Sequence, residues 1–364
     1  MTSTRTTSMG YKRFFFVGIC VFLFSCNPTP KFYNPDIIKY KETRTDIDTI
    51  ILHDSIDLCT SIRNILCIDE FLIIVQENNQ EFFKILNTSN DSVLATFGQV
   101  GHAGNEFITI PHFVYCTRDE EGNPLLCIQE KQQTKVLDLE KSVKENNAIV
   151  KNIIKEEKDC FFYQIFHLNG NREFVYKTVT YNDPRDGIFS PPKYFFHEGN
   201  KEKEWNIYPN IIKPQFKNSA IDSYYSKTSI SPNGKHIVDM NCFIDLLTVF
   251  DLETKQSTGI MNPESYTFEY LEKEITEENV EQKIKFYNTF ACATDKRFFV
   301  IEDGDYYFKD RRKQESVISE YNWKGVREKV YKLNKRFTNI AFCEKNQKLY
   351  LIEEYEYLYN FILK

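Results

Sequence analysis

Apolar and polar positions in this chain recur as paired short hydrophobic runs joined by a polar turn. The first pair is "IRNILCIDEFLIIVQ" from Ile62, followed by "HFVYCTRDEEGNPLLCIQ" from His112 and "FYQIFHLNGNREFVYK" from Phe162. Three more follow: "YSKTSISPNGKHIVDM" from Tyr225, "YNTFACATDKRFFVIE" from Tyr287 and "FTNIAFCEKNQKLYLIEE" from Phe337. Short runs rich in Val, Ile, Phe and Tyr, bounded by Asn, Asp, Gly or Lys, predict antiparallel hairpins, and few stretches carry the longer period of a helix. Further strands are visible behind the hairpins, such as "EFFKIL" and "SVLATFG" in the first unit and "LLTVFDL" and "STGIMN" in the fourth.

The units begin 50 to 63 residues apart. That spacing suits a four-stranded blade, so the pattern predicts an all-β, six-bladed β-propeller, a ring of small sheets with only short protected edges. The last unit has room for three strands before Lys364. An open outer edge would expose backbone donors and acceptors. We therefore expect "DTIILHDSIDL", Asp48 to Leu58, to supply the missing strand of the last blade and close the ring.

Residues 1–13 hold Arg5, Lys12 and Arg13 and no acid, and Phe14 to Phe24 is an apolar run of eleven residues. A spanning helix needs about 20 apolar residues, so the run reads as a signal peptide. Leu23-Phe24-Ser25-Cys26 resembles the bacterial lipobox, whose cysteine is acylated and becomes the first mature residue. The expected organisation is a signal peptide over 1–25, a lipidated linker over 26–46 and the propeller over 47–364. Two or three acyl chains hold a protein on a membrane far more firmly than one.

Losing the three basic residues of the leader moves the formal net charge from −6 to −9. With no basic stripe to displace counterions, nucleic acid is excluded as a partner. Thirty-one Phe, 22 Tyr and 2 Trp supply ample core.

Cysteines test this picture, because an exported chain can form disulfides. Cys67, Cys116, Cys292 and Cys343 occupy one place in four units, the end of the first strand. Neighbouring inner strands of a propeller should lie farther apart than the roughly 4.4–6.8 Å a disulfide tolerates, so we expect small buried hydrophobes. No C-x-x-C occurs, and no Cys and His share zinc-ligand spacing, so neither a metal nor a cofactor is expected. His167 fills the equivalent place in the third unit and is a candidate ligand contact.

The chain resembles the TolB-like six-bladed propeller lipoproteins of Bacteroidetes. The likeness rests on Cys26, on "SPNGKHIV" from Ser231 to Val238, and on "FGQVGHAGNEF" from Phe97 to Phe107. Phe97, Gly98, Gly101, Glu106 and Phe107 match the family's opening motif, while Ala103 and Gly104 stand where Gly-Pro is usual. The resemblance implies architecture and envelope placement and adds little about chemistry. After Cys26, "NPTPKFYNPD" lacks the acidic run associated with export to the cell surface in these bacteria, so the periplasmic leaflet of the outer membrane is expected.

The glycine loop has neither Walker nor dinucleotide spacing. It lies between an outer strand and the next inner strand, where the chain crosses from rim to axis and glycine allows positive φ. Glu106 is expected to accept loop amides and Phe107 to fill the gap between blades. His102, Asn105 and Glu106 remain ligand-binding candidates. Two longer stretches also attract attention. "NDPRDGIFSPPKYFFHEGNKEKEWNIYPN", Asn182 to Asn210, offers Tyr194, Phe195, Phe196, Trp205 and Tyr208 as faces for a sugar or peptide, with Arg185 and Lys193 for an anion. The alternative is that these aromatics pack their own blade. "YTFEYLEKEITEENVEQKIKFY", Tyr266 to Tyr287, places Ile275, Val280 and Ile284 on one side of a short charged helix, a lid or a docking arm.

There is no G-x-S-x-G, no H-E-x-x-H and no sialidase-type box, so no catalytic residue is assigned. The sequence thus points to a lipid-anchored envelope propeller that binds a glycan, peptide or envelope protein without catalysis. A carbohydrate-active enzyme with acidic residues at the channel mouth is the competing reading.

Overall fold

The computed structural model describes residues 35–42, 47–52, 55–78, 80–130, 133–155, 162–169, 173–178, 193–208, 225–262, 265, 279–306 and 315–363. Three short strands come first: β1 Ile37–Tyr40, β2 Asp48–Ile50 and β3 Ile56–Asp57. Six sheets follow in chain order, forming a six-bladed β-propeller. The first blade is β4 Ile62–Ile68, β5 Phe71–Gln76, β6 Phe83–Asn87 and β7 Val93–Phe97. The second is β8 Phe113–Arg118, β9 Pro124–Glu130, β10 Gln133–Asp138 and β11 Val150–Lys155, with helix α1 Leu139–Glu145 between its last two strands. The third is β12 Phe162–Asn169, β13 Glu173–Thr178, β14 Lys193–Glu198 and β15 Lys201–Trp205. The fourth is β16 Ser226–Ile230, β17 His236–Asn241, β18 Leu246–Asp251 and β19 Gln256–Met261. The fifth, after a helical turn α2 Val280–Lys283, is β20 Lys285–Ala293, β21 Arg297–Tyr306, β22 Val317–Asn322 and β23 Arg327–Leu333. The sixth is β24 Asn339–Cys343, β25 Lys348–Glu353 and β26 Tyr357–Ile362.

Ring closure comes from the N-terminal segment, in a more divided form than expected. Asp48 to Leu58 is two strands and not one. Only β3 pairs with β26, antiparallel, completing the sixth blade. β2 instead pairs in parallel with β23 of the fifth blade, Asp48 opposite Tyr331. β1, inside the stretch expected as linker, pairs in parallel with β19 of the fourth blade, Ile37 opposite Thr258. The segment is therefore a strap across the outer edges of three consecutive blades. Asp36 fastens its start, accepting from the Ser257 amide at 2.7 Å. Lys41 fastens its middle, bonding Asp245 of the fourth blade and Glu302 of the fifth, the latter at 3.0 Å. Burial opposes that ammonium, but the two carboxylates outweigh it and hold Lys41 above the ordinary lysine range.

Blade faces pack through apolar layers. Phe107 is fully buried against Phe82 and Phe83, at 5.9 and 5.6 Å between ring centres. A ring of that size buried from water is worth about 1.5–3 kcal/mol. Gly98 has φ +91°, and a Cβ there would meet Phe83 at 3.0 Å. Gly101 leaves room for the Glu106 carboxylate, which would lie 2.0 Å from an added Cβ. "FGQVGHAGNEF" is thus a rim-to-axis crossing sealed by Phe107.

Two stretches read as insertions are differently built. Of the stretch from Asn182 to Asn210, Lys193 to Trp205 forms β14 and β15, the outer half of the third blade, while residues 182–192 and 209–210 lie outside the described ones. The alternating charges of "KEKEW" suit an outer edge, where they discourage pairing with another chain. Among the described residues of the Tyr266–Tyr287 stretch the helix covers Val280–Lys283 and Ile284 is fully buried, while residues 266–278, Ile275 included, lie outside them.

Candidate functional site

The first strand of each blade faces the propeller axis. Together these strands enclose a channel cavity of about 240 Å³. Its middle is apolar, with Leu66, Phe113, Phe166, Phe290 and Ile340 among the lining residues. Cys67, Cys116 and Cys292 line the same space, and every described cysteine is a free thiol. Burial pushes Cys292 up to about 12 and raises Cys67 and Cys116 as well. At neutral pH these thiols stay protonated and are poor nucleophiles, as expected of small buried hydrophobes.

The two mouths differ. At the end where the inner strands begin, Arg63 donates to the His112 ring at 2.7 Å and pairs with Glu77 at 2.9 Å. Lys227 lies on the channel wall of the fourth blade. Its ammonium donates to the Thr289 carbonyl at 2.8 Å and sits 5.2 Å from the Phe290 ring centre. It has no carboxylate partner among the described residues. Burial pulls it below the ordinary lysine range. On the first and third blades, the buried amide oxygens of Asn64 and Gln164 line the same cavity without a hydrogen-bond partner. No Asp or Glu is among the described residues lining this cavity.

At the other end, where the inner strands finish, carboxylates gather. Asp69 takes two bonds from Arg118, both at 2.7 Å. Asp295 accepts the Asn233 amide at 2.8 Å. Glu344 accepts Thr294 at 2.5 Å and the Lys296 amide at 3.1 Å. Burial pushes Asp295 above the usual carboxylate range, against the Asn233 amide and the Arg118 charge, with Glu344 and Asp69 adding to the push. Among the described residues, no group of three or more His, Cys, Asp or Glu is placed to hold a metal ion.

The residues singled out from sequence do not converge. His167 is buried and lines a groove between the second and third blades, not the channel; its amide donates to the Tyr115 hydroxyl at 2.8 Å. The strand at His167 turns that side chain into the groove, so its place in the repeat does not carry it to the axis. Tyr194 is fully buried and donates to Asp239, while Trp205 packs 5.1 Å from Phe250 in the wall between blades. Lys193 pairs with Glu204 at 2.8 Å on the outer face. His102 is exposed on the rim, and Asn105 donates to Asn147 at 3.1 Å. Glu106 accepts Gln99 and the Ala103 amide, each at 2.8 Å, and these bonds hold it below its ordinary value. Cys26 and Arg185 lie outside the described residues.

Arg63, Lys227, Asn64 and Gln164 escaped notice, although a signal existed. Aligned on the thiol position, Arg63, His112, Lys227, Asn288 and Asn339 all fall four residues upstream, a polar column at the start of the inner strand. Fold and cavity together define a six-bladed propeller with an axial pocket. No family model matches the chain, and no curated protein does. The structure is similar to a DUF4221-family member from Bacteroides vulgatus, at 9% identity over 83% of this chain and 91% of that one, with a TM-score of 0.52. A Bacteroides fragilis protein described as exported aligns over 90% and 99% of the two chains at 10% identity and TM-score 0.49. A luciferin-regenerating enzyme aligns over 85% and 96% at 12% identity and TM-score 0.43. The first likeness shows the fold alone, and the other two carry no argument.

Proposed function

We propose that this chain is an exported, lipid-anchored envelope protein whose propeller binds a ligand in its axial channel without transforming it. One observation carries the reading: the channel wall holds polar groups with no partner, while the nearby carboxylates are engaged in the fold. Buried polar atoms are nearly always hydrogen-bonded, so unpartnered ones facing a cavity mark a place where something else completes the set. The leader and Cys26 support anchoring to a membrane, with the periplasmic leaflet of the outer membrane as the proposed side. Among the described residues, no helix is long and apolar enough to cross a membrane.

The full acylated chain should retain a small molecule after dialysis against an envelope extract, read by native mass spectrometry. Leu66→Trp, which fills the channel, should retain none while keeping its circular dichroism spectrum. Equal retention by both proteins would sink the reading. Radiolabelled palmitate should be incorporated by the wild type and not by Cys26→Ala.

Carbohydrate chemistry has one observation in its favour, the raised Asp295 near Asp69, Glu344 and Arg118. A general acid needs such a raised value. Hydrolysis of a glycan panel that disappears in Asp295→Asn would establish this second reading in place of the first.

A further inference from the structure

The chemistry of the channel narrows what it holds, and this step rests on the binding reading above. Three observations constrain the occupant. First, the space of about 240 Å³ falls below the roughly 300–1,000 Å³ of drug-sized pockets, which leaves room for one small molecule or a single terminal residue. Second, the wall has a donor lacking an anionic acceptor. Lys227 bonds only a neutral carbonyl, while Arg63, on the first blade across the channel, is already paired with the exposed Glu77. Third, the wall has acceptors lacking a donor, the amide oxygens of Asn64 and Gln164, and Gln164 is nine-tenths buried.

A matching ligand presents both an anionic acceptor and hydrogen-bond donors. An amino acid would do so with its ammonium, yet no Asp or Glu is among the described lining residues to balance that charge, and Lys227 and Arg63 would repel it. Hydroxyl groups donate without carrying charge. The apolar side chains Phe113 and Phe290 also offer flat surfaces of the kind on which the C–H face of a sugar ring rests.

We propose that the axial channel is a binding site for a small polyhydroxylated carboxylate of the sugar-acid class, its carboxylate held by Lys227 and its hydroxyls donating to Asn64 and Gln164. This ligand turns each unpartnered group on the wall into a partnered one. Binding requires no bond to be made or broken.

Isothermal titration of the full chain with D-glucuronate, D-galacturonate and D-gluconate tests the assignment. At least one should bind, and D-glucose and acetate, each lacking half of the recognition set, should bind more weakly by about tenfold or more. Lys227→Met should weaken the acid by about 10- to 100-fold, the range expected for losing a hydrogen bond to a charged group. Gln164→Leu should weaken it less, and Lys193→Met on the outer face should leave it unchanged. Each variant is first shown to melt cooperatively, so that loss of binding is not loss of fold. Absence of binding by all three acids, or undiminished binding by Lys227→Met, overturns the proposal. If those acids fail while a channel-dependent ligand without a carboxylate is retained from the extract, this inference falls and the broader binding reading stands.

Discussion

Two lysines on neighbouring blades, Lys177 buried and Lys227 half-buried, are treated in opposite ways. Lys177, in the wall between the third and fourth blades, meets Asp239 at 3.1 Å and Ser226 at 2.6 Å, and Tyr194 and Thr228 bond the same carboxylate. Lys227, facing the axis from the fourth blade, has one backbone carbonyl and an aromatic face. A charge removed from water needs a countercharge or it is costly. The wall supplies one and the channel leaves it to a visitor. The same contrast separates the two mouths, since the carboxylates at the far end are all bonded within the fold. Positions whose needs are met locally belong to architecture, and positions whose needs are unmet point to binding.

The sharpest way to break this contrast is Asp239→Ala. It strands the Lys177 ammonium, whose side chain is 1% exposed, and should cost about 3–5 kcal/mol in denaturant unfolding. A loss below about 1 kcal/mol would remove the distinction between the two lysines. Next comes Arg118→Met, which takes the partner from Asp69 beside two other carboxylates. With both side chains about a third exposed, a loss of about 1–2 kcal/mol is expected, smaller at high salt. Lys227→Met should shift stability by less than about 1 kcal/mol in either direction, because no carboxylate is left behind. Its effect belongs to binding. Smallest at neutral pH is Asp295→Asn, expected to leave stability equal or slightly higher by less than about 1 kcal/mol. Its signature is in the pH profile. An acid raised in the folded state binds its proton more readily folded than unfolded, so this group adds stability as pH falls through the carboxylate range. Unfolding curves across that range should show the gain in the wild type and not in the variant.

The blades were legible in the sequence because a hairpin with an apolar inner face leaves a two-residue period and polar turns, six times over. The closing strand was legible only in part. β1 and β2 are short, and their choice of blade depends on bonds to Ser257, Asp245 and Glu302 more than two hundred residues away, which no local pattern encodes. β14 and β15 were read as an insertion because prolines and alternating charges dominate that stretch; the edge position of β15 explains the charges, and the prolines lie outside the described residues. Aromatic residues drew attention to Tyr194 and Trp205, where the wall between blades buries them. Lys227 and Gln164 looked ordinary, since what distinguishes them, a lysine without a carboxylate among the described residues and an amide oxygen without a donor, is a property of the assembled ring.

The N-terminal strap has a consequence for how the molecule comes into being. Its three strands precede every blade, yet their partners are β19, β23 and β26, the last strands in sequence of the fourth, fifth and sixth blades. A chain emerging N-terminus first therefore carries each fastening unbuttoned until its own partner appears, β26 last of the three, because pairing across such separations is slow and cannot begin early. Up to that moment the ring stays open. Once β26 docks on β3, the start and the finish of the ring are caught in the same seam.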